Sequence, residues 1–168
     1  DSNRANADSF RLGVLAMNEK GYRNLIQLVS VAYVASSTRG VLTSAQIFAH
    51  SDGLIALSAG RDGEIGQALL AGDGATARAV AQCWAQEFDQ RFYLELSRTG
   101  RPGDDAQAAA AVQLALEVDL PVVATNDVCF LHPAQFEAHE TRVCIHDGRV
   151  LDDPRRERRY SAEQYLKT

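Results

Sequence analysis

The spacing of apolar residues changes several times along this chain, and each change marks an element. Residues 10–17 (FRLGVLAM) form a short apolar run that predicts a strand. Over residues 19–35, Tyr22, Leu25, Ile26, Val29 and Tyr33 recur three or four apart, which is one apolar face of a helix. Thr43 opens a second, short helix, with Thr43 and Ser44 available as caps. Asp52-Gly53 makes a turn into residues 54–58 (LIALS), read as a buried strand. Residues 63–71 and 74–88 read as consecutive helices broken at Gly72-Asp73-Gly74, and Ala77, Val80, Ala81, Trp84 and Phe88 line the second.

A third strand is expected at residues 91–96 (RFYLEL), followed by a loop at 99–103. Asp104 or Asp105 can cap the alanine-rich helix that runs to about Val118. Residues 120–125 (LPVVAT) predict a fourth strand, with Pro121 at its start where a missing donor is tolerated. Pro133 opens a further helix at its first turn. After Asp147-Gly148 the chain is loop-like and strongly charged, and Ser161 to Gln164 start a final helix with Gln164 in the reciprocal capping position. Strands alternating with helices predict an α/β fold with a mainly parallel sheet. Ligands of such folds gather at the carboxyl ends of the strands. That rule directs attention to Gly60-Arg61-Asp62, to Arg98 through Arg101, and to Asn126-Asp127.

Composition narrows the class. With 168 residues, 46% hydrophobic and 23% charged, the chain suits a folded domain of ordinary size. The apolar runs are too short to span a bilayer, and the polar start shows no apolar secretion signal. The chain starts at Asp1 without methionine and stops just after a helix-like run, so a longer parent is expected. Cys83, Cys129 and Cys144 are dispersed without metal-ligand spacing, which points to a reducing, cytoplasmic setting. A net charge of −5 speaks against nonspecific DNA binding as the segment's own task, although not for a larger parent.

Several residues carry candidate chemistry. Asp127, directly after an apolar strand, suits a metal ligand or a base; Asn and Asp are equally favoured in turns and caps. His132, His139 and His146 recur every seven residues. Two helical turns rise roughly 10 Å, too far for two imidazoles to share one ion, which favours structural or surface roles. Glu137, His139 and Glu140 have no spacing that demands a cluster with Asp127. Gly60-Arg61-Asp62-Gly63-Glu64 has the look of a phosphate-cradling turn but lacks the lysine and hydroxyl of a P-loop, so a tight turn before a helix is favoured. The basic run Arg155, Arg156, Glu157, Arg158 and Arg159 can meet phosphate or an acidic partner; a solvated loop is favoured for it. No serine or cysteine nucleophile has a credible base nearby in sequence.

The blocks GYRNLIQLVSVAY, GLIALSAGRDGEIGQALLAGD, FYLELSRTGRP, LPVVATNDVCFL and FEAHETRVCIHDGRVLDDPRRERRYSAEQYLKT occur in that order. Together they resemble the PHP (polymerase and histidinol phosphatase) domain of bacterial replicative polymerase III alpha subunits, most closely the gammaproteobacterial form, from about Phe10 onward. The resemblance implies a partial, distorted TIM-like (βα)7 barrel. Residues 1–168 would be its C-terminal portion, with the first barrel strands upstream and the polymerase core downstream. It also implies a parent enzyme that performs DNA-directed DNA synthesis with magnesium, in contact with DNA and with a separate proofreading exonuclease subunit.

Active relatives hold three metal ions at the strand ends. Against that pattern, Arg11 stands in place of a ligand histidine, Gly60 in place of a cysteine or histidine, and Asp127-Val128-Cys129 in place of Asp-x-His. The expected reading is therefore a vestigial site with no catalytic residue, no bound cofactor and no metal. The alternative is an active phosphoesterase or 3′–5′ proofreading exonuclease using zinc or manganese. A barrel cut open exposes sheet edges, so the segment alone is expected to self-associate or rearrange.

Overall fold

The computed structural model describes residues 9–36 and 38–168, and the polar opening stretch 1–8 lies outside the described residues. The elements follow in chain order: β1 Gly13–Ala16, α1 Glu19–Ser30, α2 Ser44–Phe48, β2 Leu54–Leu57, α3 Glu64–Leu70, α4 Gly74–Phe88, β3 Phe92–Ser97, α5 Asp104–Val118, β4 Val122–Thr125 and α6 Phe136–Asp147. The four strands make one sheet in the order β1-β2-β3-β4. β2, β3 and β4 run parallel, whereas β1 is antiparallel to β2, with Gly13 opposite Leu57 and Ala16 opposite Leu54. This is the mixed α/β architecture of part of a TIM-like fold, in which helices cross over between parallel strands.

Alternation along the central strands places the core. Leu54 and Ala56 of β2 and Phe92 and Leu94 of β3 are buried on one face, where Ala77, Ala81, Trp84 and Phe88 of α4 meet them with Leu114 and Ala115 of α5. The Trp84 ring stacks on Phe92 with centroids 5.8 Å apart and presents its edge to Phe48 of α2 at 4.8 Å. The expected stripe of α4 is therefore its core face, with Val80 at the margin. Thr43 caps α2 through a full capping box with Gln46.

Four expectations are corrected. Helix 19–35 ends as an α-helix at Ser30 and continues as a π-helical turn, Val31–Ala35. Of its apolar stripe, Leu25 packs against the core whereas Tyr22, Ile26, Val29 and Tyr33 are each about half exposed, and Gly21, Leu28 and Ala32 are buried. The cause is Gly21. A Cβ there would stand 1.8 Å from the Gly53 carbonyl oxygen, so only glycine lets the helix sit on that turn, and the bulkier stripe rotates away from it. Asp104 does not cap α5. The cap is Gly103 in a left-handed conformation, and the Asp104 carboxylate turns inward to pair with Arg61 and the Thr99–Arg101 loop. No helix follows Ser161: residues 161–166 form a turn, with an isolated parallel bridge from Tyr165 to Phe130. Pro133 opens a 3-10 turn, Pro133–Gln135, and α6 follows it.

Candidate site at the carboxyl ends of the strands

The loops after β2, β3 and β4 converge as the parallel strands require, and β1, being antiparallel, brings Arg11 to the same end. They border an open groove of about 1080 Å³ whose polar side carries Asp62, Glu95, Arg101 and Asp127 and whose apolar side includes Leu25 and Trp84.

Arg101 is at the centre of the polar side. Its guanidinium Nη1 lies 3.6 Å from Asp127 Oδ2 and 3.8 Å from Asp62 Oδ2, with the side chain only 12% exposed. Its Nε donates to Thr99 Oγ1 at 2.9 Å. The loop that carries it is tied down by Asp104, which accepts from Thr99 N at 3.1 Å, Thr99 Oγ1 at 2.6 Å and Arg101 N at 3.1 Å, and pairs with Arg61 at 2.6 Å. Burial alone would push the Asp104 carboxyl up; the hydrogen bonds from Thr99 and Arg101 and the Arg61 guanidinium outweigh it and hold the group below the usual carboxylate range.

Gln164 closes the same corner and is fully buried. Its Nε2 donates to Asp127 Oδ2 at 2.8 Å and reaches Cys129 Sγ at 3.5 Å, while its Oε1 accepts from Ser161 N at 2.9 Å. Burial pushes the Cys129 thiol up, and the Asp127 carboxylate adds to that, so the thiol form is favoured over the thiolate that binds metal. After β2, the Glu95 carboxylate accepts from the backbone N–H of Ala59. Gly60 holds φ +52°, and a Cβ there would lie 3.3 Å from Ser97 Oγ. A ligand side chain at position 60 would need a left-handed backbone in a crowded place.

The structure thus brings Asp127, Cys129 and Gly60 to one corner. Arg11 stands at its rim: its backbone N donates to the Asp62 carbonyl at 3.2 Å, and its exposed guanidinium lies 3.9 Å from Asp62 Oδ2. Arg98 points away, toward exposed Asp105 at 3.4 Å. Gly60-Arg61-Asp62 forms a 3-10 turn whose Arg61 is spent on Asp104, in line with the tight-turn reading. Among the described residues, no three His, Cys, Asp or Glu side chains are placed to hold a metal ion.

The histidines do not converge. His132 and His146 are exposed, while His139 is buried between Phe130 and Tyr160 with centroids at 5.5 and 4.6 Å. Glu140 turns to Arg156, not to Asp127, and both side chains of that ion pair are buried, so Arg156 departs from the solvated-loop reading while Arg155, Arg158 and Arg159 are exposed in keeping with it. Arg155 pairs with Asp153 and Arg159 with Asp147. Sequence spacing missed Gln164, Asp104 and Glu95 as site-building groups. A glutamate amid the apolar positions of β3 was the one available signal, because a charge in a buried strand needs a partner.

The PHP domain family matches residues 2–99. The DNA polymerase III subunit alpha of Pseudomonas aeruginosa is 51% identical over 160 residues, covering 94% of this chain. Those of Escherichia coli K12 and Vibrio cholerae are 45% and 44% identical over 94% of it. The chain spans 14% of the length of each of these relatives. With the family's match over more than half of its residues and a sheet of the expected parallel kind, the chain belongs to the PHP domain family.

Proposed function

We propose that this chain is the C-terminal portion of the PHP domain of a DNA polymerase III alpha subunit, the enzyme of DNA-directed DNA synthesis in chromosomal replication, and that it serves there as scaffold and docking module without catalysis of its own. The similarity to alpha subunits over 94% of the chain supports the parent's identity. The parent works in the cytoplasm, uses magnesium in its polymerase core, contacts DNA, and holds a separate proofreading exonuclease subunit. No helix among the described residues is long and apolar enough to cross a membrane. The outward stripe of α1 is read as the seam against the rest of the alpha subunit, since 14% of the relatives' length is all that is present here; without that cover, two copies would associate through it.

The observation that carries the non-catalytic reading is the self-satisfied corner. Asp127 meets a guanidinium and an amide where a cation would have to sit. The donor set does not suit a metal ion: one carboxylate already engaged, one protonated thiol, a glycine and two arginines. The rival reading, a zinc- or manganese-dependent phosphoesterase or 3′–5′ exonuclease, needs that corner free and negative. Hydrolysis of p-nitrophenyl phosphate and of a 3′-ended single strand by the intact subunit, with manganese or zinc added, separates the two. Background rates unaffected by Asp127→Asn are expected; hydrolysis that Asp127→Asn abolishes would establish the rival.

A further inference from the structure

Residues 149–166 contain no helix and no named strand, yet they are tied to the body along their length. Arg159 pairs with Asp147 at the end of α6, and Arg156 reaches the buried Glu140. Tyr160 meets His139 edge-on at 4.6 Å with an interplanar angle of 79°. Beyond α6 the segment crosses the mouth of the sheet. Ser161 Oγ donates to the Thr99 carbonyl, Asn126 Nδ2 to the Tyr165 carbonyl at 2.7 Å, Cys129 N to the Gln164 carbonyl at 2.8 Å, and Leu166 N to the Phe130 carbonyl at 3.0 Å.

The crossing with α6 is unusual in its polarity. Three buried polar atoms there, His139 Nδ1, Glu140 Oε1 and Arg156 Nε, lack a hydrogen-bond partner among the described residues. Unpaired groups of this kind are costly, and a buried cluster of them is sensitive to added charge. From α6, Glu140 and Arg142 act on the imidazole; from the crossing segment, Tyr160 packs on it and Arg156 acts through Glu140; from the loop before α6 the uncharged Phe130 packs against it. An imidazolium would place a further positive charge near Arg142, in a cluster whose Glu140 carboxylate is already engaged by Arg156, with no acceptor at Nδ1.

We propose that residues 149–166 are an acid-sensitive strap, locked across α6 and over Asp127 and Cys129 while His139 is neutral, and released when His139 takes up a proton. Burial, with Arg142 adding to it, holds the closed-state imidazole below its ordinary value of 6.5. The open form therefore binds protons more readily. The lock is fully present above that ordinary value and weakens as pH falls below it.

Hydrogen exchange of the intact protein that carries this segment, read by mass spectrometry near pH 7.5 and near pH 5.5 and corrected for intrinsic rates, tests this. Peptides spanning 149–166 are expected to exchange several-fold faster at the lower pH, because the open form holds the proton more tightly than the closed one. Peptides from β2 and β3 should keep their protection, and His139→Phe should remove the pH difference. Strap exchange that does not change, strap and sheet opening together, or a His139→Phe protein that responds like the parent would each overturn the proposal. The comparison of strap with sheet needs no variant, so it decides even if His139→Phe does not fold.

Discussion

Asp104→Ala is expected to cost about 3–5 kcal/mol of folding stability, measured as a shift in the urea midpoint at fixed protein concentration. The carboxylate is buried and satisfies four groups at once: Thr99 N, Thr99 Oγ1, Arg101 N and Arg61. Its removal leaves two backbone donors without acceptors and a largely buried guanidinium without its counter-charge, held only by the Pro102 carbonyl at 3.2 Å, and the penalty of such orphans exceeds what the bonds themselves contribute. Asp104→Asn keeps one acceptor and should lose about half as much. The pH dependence has a definite sign. A carboxyl held below its ordinary 3.8 stabilises the fold above that value, and the contribution disappears as pH falls through the folded-state value. Acid unfolding of the parent should therefore be steeper than that of Asp104→Asn. A loss below about 1 kcal/mol for Asp104→Ala would show that the loop holds its shape without this anchor.

The second large effect lies at the other buried ion pair. Glu140→Ala should cost about 3–5 kcal/mol, because it leaves Arg156 charged and enclosed. Replacing both partners, Glu140→Leu with Arg156→Met, should recover most of that loss, since apolar groups of similar volume need no counter-charge. Thermal unfolding of Glu140→Leu, of Arg156→Met and of the double variant gives the coupling directly. A double variant no better than Glu140→Ala would mean that the pair contributes through shape alone.

What could be read from residue order depended on how local its cause was. α4 was legible because Ala77, Ala81, Trp84 and Phe88 repeat at helical spacing and one face of the sheet takes them all. The Thr43 cap was legible because its bond lies within four residues, and the reciprocal bond from Gln46 completes it. The orientation of α1 was not, since it is decided by the approach of Gly21 to Gly53, a tertiary contact across the β1–β2 ribbon. The Ser161–Gln164 motif made half of its expected pattern, Ser161 N to Gln164 Oε1, but no helix followed. The Gln164 backbone and amide were claimed instead by Cys129 and Asp127. For the site, position was legible and content only in part. Strand ends pointed to Asp127, Gly60 and Arg101, whereas the partners that neutralise Asp127 come from loops whose course no spacing encodes.

At the strand-end corner, Asp127 is satisfied by the protein's own guanidinium and amide groups. Metal content of the intact alpha subunit, equilibrated with zinc or manganese, freed of excess ion and measured by inductively coupled plasma mass spectrometry, tests it most directly. Far less than one zinc or manganese per chain is expected, with no difference on changing Asp127 and Cys129 to alanine. A stoichiometric ion that those two substitutions remove would contradict it.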